Sequence, residues 1–489
     1  MEYIDPKQYD FSSISSEQLE IANKDENIFD QKFETKPVGY FKDAWIRFTK
    51  NKGSVVAAVI LLLLVLFSIF GPLASPWKTN DNNEMYQYCL PKSSVFGGNG
   101  FWDGTTEKSE PLKTYYYDLE RNAVVEGSAK KSKIVEGVQY YSYRLDTYIR
   151  GYIFDDLTPE EYARVKQYEE DTGIQILYPL LDTSYTTNQK ILQRHENANC
   201  FYKLDKNLNP ILDKDDNVVP IYRVDEKGNY VYEDFNGANY EVRVDYDQYY
   251  IMVHGKAPVF YFGSDNMGRD IYTRLCHGAR LSLILGVVVS LINIVLGIIY
   301  GAIEGYYGGT VDLVMERISD ILVEIPSLIL LTLFQIYLAS KWGPIPALLL
   351  AFILTGWIGT ASRVRMQFYR YKRQEYVLAA RVLGAKDRRI IFRHILPNAV
   401  GTLITSCILM IPSVIFTEST LSFLNIVDLE SGTMTSIGTM LAAGQDVLAT
   451  FPHVIMFPAI FISILMIAFN LFGNGLRDAF NPSLRGVEE

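Results

Sequence analysis

The chain has 489 residues, of which 48 % are hydrophobic and 13 % aromatic, with 46 Lys+Arg against 56 Asp+Glu for a formal net charge of −10. That balance excludes a basic nucleic-acid binder, and the aromatic content excludes a disordered chain. Residues 77–262 hold 21 Lys+Arg and 30 Asp+Glu, nearly all of the net charge, while long apolar runs on either side exclude a single soluble domain.

Residues 1–40 read as a polar tail. Phe41, Trp45 and Phe48 then recur at i, i+4 and i+7 beside Lys42, Arg47 and Lys50, which predicts an interfacial helix over 41–52. A bilayer core is about 30 Å thick, so a crossing helix needs roughly 20 apolar residues. Six stretches fit: Ser54–Ala74 within a first span over 53–74, then Leu281–Ala302, Ile318–Ser340, Pro344–Ala361, Ala399–Thr417 and Val454–Phe472. The first begins at Ser54, too far from Met1 for a cleaved signal peptide.

Lys and Arg precede the first span and crowd the segment from Arg363 to Arg393, whereas Leu421–Pro452 has none. By the positive-inside rule both termini and the basic segment face the cytoplasm, and residues 77–262 lie outside. Arg269, Arg274 and Arg280 sit on that outer side. Two readings stay open for them. One is an amphipathic helix in the interface, with Ile271, Leu275 and Ala279 towards lipid or protein and the arginines snorkelling outward; the other is a solvated helix leading into the span.

The outer block 77–258 holds 23 tyrosines with the few residues that follow it to 262, and reads as an inserted α+β domain. Strands are expected over Val219–Val224, Tyr230–Tyr232 and Tyr240–Tyr246, between turn signals at Asp225–Asn229 and Asn236-Gly237. Thr158-Pro159-Glu160-Glu161 has the form of a capping box opening a helix to about Asp171. Asp213, Asp215 and Asn217 start like a calcium loop, but Val218 and Val224 occupy the glycine and bidentate positions, so a solvated turn is expected. Cys89 and Cys200 both fall outside the membrane, where a disulfide between them is permitted, while Cys276 and Cys407 read as packing residues.

No phosphate-binding glycine loop, His-x-x-x-His, Cys-x-x-Cys or Gly-x-Ser-x-Gly occurs, so the chain is expected to bind no cofactor or metal and to catalyse nothing itself. The cytoplasmic stretch Glu375–Asn398 carries the most information. It reads as a short helix to Leu383, a turn at Gly384, a second helix capped by Asp387, and a stop before Pro397. Ala379 and Ala380 are small enough for another protein to approach closely, and Ile390, Ile391 and Ile395 give the second helix an apolar side. The stretch reads as a docking knob, or as a basic loop lying on anionic lipid.

Ala379-Ala380, Gly384 and Leu396-Pro397 resemble the coupling loop of ABC-importer permeases, with Leu378 and His394 departing from the family pattern. Gly263–Asp270, Gly278–Leu283, Gly305–Gly309, Ile325-Pro326-Ser327, Glu418–Leu424 and Phe469–Ala479 are similar to the C-type permease of oligopeptide/dipeptide importers. The resemblance implies an all-α polytopic bundle of six transmembrane helices, the type I ABC importer fold, interrupted by the extracellular domain. Its five-helix core would span 262–480, with coupling loop 375–398 and a cytoplasmic tail at 481–489.

The resemblance further implies a bacterial plasma-membrane protein forming half of a peptide translocation pathway. Its partners would be a homologous second permease, two cytoplasmic ATPase subunits carrying ATP and Mg²⁺, an extracellular peptide-binding lipoprotein, and the surrounding lipid. Glu375, Ala379, Ala380, Gly384, Asp387, Ile391, His394 and Pro397 would couple to the ATPases. Glu418, Ser422 and Asn470 are candidates for the substrate pathway, Glu418 being alternatively a structural cap. The competing functions are a membrane-anchored extracellular receptor or sensor, and a permease for another small substrate such as nickel chelates.

Overall fold

The computed structural model describes residues 40–95, 97–98, 100–182, 191–194, 200–203, 211, 214, 221–431 and 434–480. Helices α1 (Tyr40–Lys50) and α2 (Lys52–Phe70) meet at Asn51, whose side chain accepts a hydrogen bond from the Ser54 N–H at 3.2 Å and caps α2. Trp45 on α1 is exposed, as an interfacial helix requires, but Ala44 and Phe48 are buried against Phe472, Leu476 and Ala479 at the far end of the chain. The helix is therefore also a clasp between the two ends of the bundle.

The block between α2 and α6 forms small antiparallel sheets. Strands β1 (Thr105–Pro111), β2 (Lys130–Val135) and β3 (Val138–Asp146) pair in the order β1-β3-β2, with helix α3 (Leu112–Glu120) following β1. Strand β4 (Tyr152–Leu157) leads into α4 (Pro159–Thr172), where the expected capping box is complete. Thr158 Oγ1 accepts from the Glu161 N–H, and the Glu161 carboxylate accepts from the Thr158 N–H at 3.0 Å.

Strands β5 (Leu177–Tyr178), β6 (Ile191–Arg194) and β7 (Cys200–Lys203) precede β8 (Glu233–Phe235) and β9 (Tyr240–Asp245). The second sheet runs β4-β9-β5 with β8 also on β9, and β6 pairs with β7. Leu157, Val165, Ile176, Leu177, Val242 and Val244 form its core under α4. The strand expected at Tyr240 is thus present, ending where α5 (Tyr246–His254) begins. Of the other two, Tyr222, Val224 and Tyr230 make only isolated bridges, because the Asp225–Asn229 turn leaves each side too short for a ladder. Val219, Asp213, Asp215 and Asn217 lie outside the described residues.

Helix α6 (Ile271–Tyr307) is 37 residues long, about 55 Å at roughly 1.5 Å per residue. It is followed by α7 (Gly309–Val323), α8 (Ser327–Trp342), α9 (Pro344–Gly356) and α10 (Ile358–Tyr371). Gly297, Gly301 and Gly305 form a one-sided stripe along α6 against α10; a methyl group on Gly301 would sit 2.2 Å from the Ala361 carbonyl oxygen. Such small-residue seams are how helices pack where lipid gives no hydrophobic drive. After the elbow come α13 (Leu396–Ile408), α14 (Met410–Phe423), α15 (Ile437–Gln445) and α16 (His453–Phe480).

Among the described residues four helical stretches are long and apolar enough to cross a membrane: Lys52–Ala74, Ile271–Tyr307, Pro344–Tyr371 and His453–Phe480. A fifth counts if α7 and α8, bent by 72° at Pro326, form one broken span. The sixth expected stretch, Ala399–Thr417, is covered by α13 and α14, which meet at Leu409. Of the six expected spans, four stretches, or five with the bent α7–α8 pair, meet this test of length and composition among the described residues.

Candidate functional site

The elbow between α10 and α13 opens with α11 (Glu375–Val382). Gly384 then turns the chain at φ +80°, a left-handed conformation that favours glycine, with open space around its α-carbon. The second limb starts as α12 (Asp387–Arg389) and widens into a π-helical turn over Ile390–Ile395 that runs directly into α13. The expected stop before Pro397 is absent. Pro397 sits where the π-helical turn passes into α13, and the helix continues through it.

Asp387 does not cap its helix either. The capping position is Lys386, with no side-chain bond, and Asp387 Oδ1 instead accepts the Tyr306 hydroxyl at 2.6 Å. Ile390, Ile391 and Ile395 are buried against Ala302, Tyr306, Val364 and Phe368, so the apolar side of the second limb faces the bundle. The elbow is most exposed at its tip, where Val382 is 88 % and Leu383 86 % exposed, and Tyr376, Leu378 and Phe392 are exposed to a lesser degree. Glu375, Ala379 and Gly384 are exposed beside that tip; Ala380 and His394 are half-buried.

Behind the elbow lies a charged node. Arg365 Nε and Nη2 donate to Asp312 at 2.6 and 2.9 Å, and Nη1 and Nη2 donate to Glu316 at 2.7 and 3.0 Å. The same arginine lines a cavity of about 310 Å³ with Glu304, Glu316, Asp320 and Glu324.

Of the three pathway candidates, Glu418 and Ser422 are brought together and Asn470 is not. Glu418 is fully buried between α6 and α14, where it accepts from the hydroxyls of Ser282 at 3.0 Å and of Ser419 and Ser422 at 3.3 Å. Asn470 lies on the exposed side of α16 and donates back to Met466 O at 2.8 Å.

At the opposite end of α6 the arginines that resisted a simple topology are internal. Arg269 and Arg274 are 8 % and 3 % exposed. Arg269 Nε donates to Asp265 at 2.8 Å and its Nη1 to Glu430, while Arg274 Nη2 donates to Glu430 at 3.1 Å. Although burial pushes the other way, the Arg274 and Arg269 guanidiniums hold the Glu430 carboxyl below its usual range. Arg280 donates to Ser68 O at 2.9 and 3.1 Å and to Ile69 O at 3.1 Å, satisfying the end of α2. No interfacial helix lies here: Ile271, Leu275 and Ala279 are buried in protein, as the first turns of α6.

Cys89 carries a free thiol, buried and in contact with Arg150 Nη2 at 2.9 Å, so the permitted bridge to Cys200 is not formed. The Cys200 side chain lies outside the described residues. Burial pushes the Cys89 thiol up to about 11, which keeps it protonated and inert.

Residues 293–486 match the family model described as the binding-protein-dependent transport system inner membrane component. Residues 39–91 match the N-terminal transmembrane domain of oligopeptide transport permease C. The oligopeptide transport system permease protein OppC of Bacillus subtilis is 41 % identical over 245 residues, covering 50 % of this chain and 79 % of its own length. The chain belongs to this family of oligopeptide/dipeptide ABC permeases. The dipeptide permease DppC of Bacillus subtilis is 42 % identical over 226 residues, covering 46 % of this permease and 69 % of its own length. OppC of Escherichia coli K12 is 37 % identical over 228 residues, covering 46 % and 73 %.

The match over residues 39–91 runs past residue 77, where the insert was expected to begin. The structure gives a reason: Asn83 and Tyr88 donate backbone bonds to Met267 and Asp265, and the Cys89 N–H donates to Ser264 Oγ at 2.7 Å. Residues 83–91 are therefore a strap on the permease, and the added α+β body starts beyond them. The node at Arg365 and the glycine stripe were missed in the sequence, although a glycine every fourth residue from Gly297 to Gly305 was there to be read.

Proposed function

We propose that this permease is the membrane subunit of an ATP-driven peptide importer. It pairs with a homologous second permease to enclose the translocation pathway, receives peptide from an extracellular binding lipoprotein, and is driven by two cytoplasmic ATPases that hold ATP and Mg²⁺. The observation that carries this reading is the elbow tip. Val382 and Leu383 stand nearly fully exposed at a glycine turn, with Leu378 and Phe392 also exposed, although Val377, Ile390, Ile391 and Ile395 are buried in the bundle. An apolar tip rimmed by polar groups is the anatomy of a protein-docking surface.

Six membrane spans, with the termini inside and residues beyond the strap outside, are consistent with the elbow and the α+β body lying at opposite ends of α6. Asn470, on an exposed helix face, is the pathway candidate open to a passing peptide, while Glu418 and Ser422 act by holding α6 to α14. The α+β body is placed to brace or dock the binding protein.

Co-purification tests the assembly: a second permease and both ATPases should come down with this chain. Gly384→Trp, which has space but not the backbone freedom, should leave insertion intact and abolish peptide uptake while ATP hydrolysis continues; normal uptake would refute the coupling role. Deleting 93–258 with a short linker, keeping the strap, should weaken binding-protein affinity. Unchanged affinity would remove the bracing role.

A further inference from the structure

We propose that Tyr306 is the positioning residue through which the elbow's movement enters the bundle, an inference that rests on the ATPase-driven reading above. Tyr306 lies in the last turn of α6, half a helix turn before the Gly308-Gly309 corner, and is 7 % exposed. Both limbs of the elbow converge on it. Its hydroxyl donates to Asp387 at the start of the second limb at 2.6 Å, and the Arg381 guanidinium of the first limb lies 5.8 Å from its ring centroid. The adjoining carbonyl of Gly305 accepts from Lys372 Nζ at 2.8 Å, just before the elbow begins.

The rest of the elbow touches the bundle through aliphatic side chains, which resist compression but do little against sliding. A charge-assisted hydrogen bond is directional, so the Tyr306–Asp387 pair is what fixes the elbow's register on the helix. Helix α6 continues unbroken from there to the buried Arg274–Glu430 pair at the other face, so a shift at Tyr306 moves one rod rather than a chain of loops. This is the rigid-body element that a two-state change requires.

The test uses the assembled transporter in membranes, with Tyr306→Phe, Asp387→Ala and the double variant, reading peptide uptake and ATP hydrolysis together. Tyr306→Phe keeps the ring and its packing and removes only the donor. Each single variant should lower uptake per ATP by about threefold or more, in line with coupling effects of ~0.5–2 kcal/mol, and the double variant should be no worse than the weaker single. A wild-type ratio in Tyr306→Phe overturns the inference, as does a fall in protein amount with the ratio unchanged, or losses that multiply in the double variant. Wild-type membranes lacking ATP-driven uptake would instead sink the importer reading itself.

Discussion

The loop latch at the first turns of α6 and the elbow packed on its last turn handle arginine in opposite ways. In the latch Arg269 and Arg274 are buried, each bonded to carboxylates from separate segments, so the loop before α6 and the loop after α14 become one piece. In the elbow Arg388, Arg389 and Arg393 stand in the open, and its second limb is held by buried isoleucines and the Tyr306–Asp387 hydroxyl–carboxylate bond. Buried charge with every partner in place is costly to rearrange; an exposed limb with a single directional tie is not. The latch is the harder of the two to rearrange.

The sharpest way to break that contrast is Arg274→Ala. It leaves Asp265 and Glu430 short of a buried partner and should cost about 3–5 kcal/mol, measured as lost thermal stability in detergent. A loss no larger than that of an elbow variant would erase the difference between the ends. Gly301→Leu comes next. Its side chain meets the α10 backbone and should cost roughly 1–3 kcal/mol, or prevent folding, whereas Gly359→Leu, with open space around it, should be tolerated.

Glu430 supplies a pH test. Its folded-state carboxyl titrates below the ordinary range, so its contribution is present at neutral pH and is lost as pH falls through that lowered value. Melting curves from pH 6 to 3 should therefore fall less steeply in Glu430→Gln than in the wild type; parallel curves would show that the latch carries no linked charge. Leu383→Ser at the exposed tip should change stability by less than about 0.5 kcal/mol while reducing ATPase capture in pull-downs. A stability loss there would mean the tip packs on its own bundle. The smallest effect belongs to Cys89, whose buried thiol should resist alkylation in the folded protein and react after denaturation.

Periodicity exposed the apolar stretches because lipid demands long runs, and the capping box at Thr158 was legible because its bonds lie within four residues. The elbow was legible as a turn at Gly384 for the same local reason. Asp387 was misjudged because a cap and a tertiary acceptor need the same residue type, and only the approach of Tyr306 decides between them. The outer arginines were misjudged likewise, since a snorkelling and a buried guanidinium look identical until Asp265 and Glu430 arrive from positions 4 and 161 residues from Arg269.

The sequence by itself determined the polytopic character, the charge asymmetry and the elbow, because each rests on local composition or on spacing within a few helical turns. Tertiary structure alone decided that the strap at 83–91 packs on the permease, that α7 and α8 meet at a 72° bend, and which charges are paired. Those outcomes depend on groups far apart in the chain competing for the same partners, and a one-dimensional pattern carries no record of who wins.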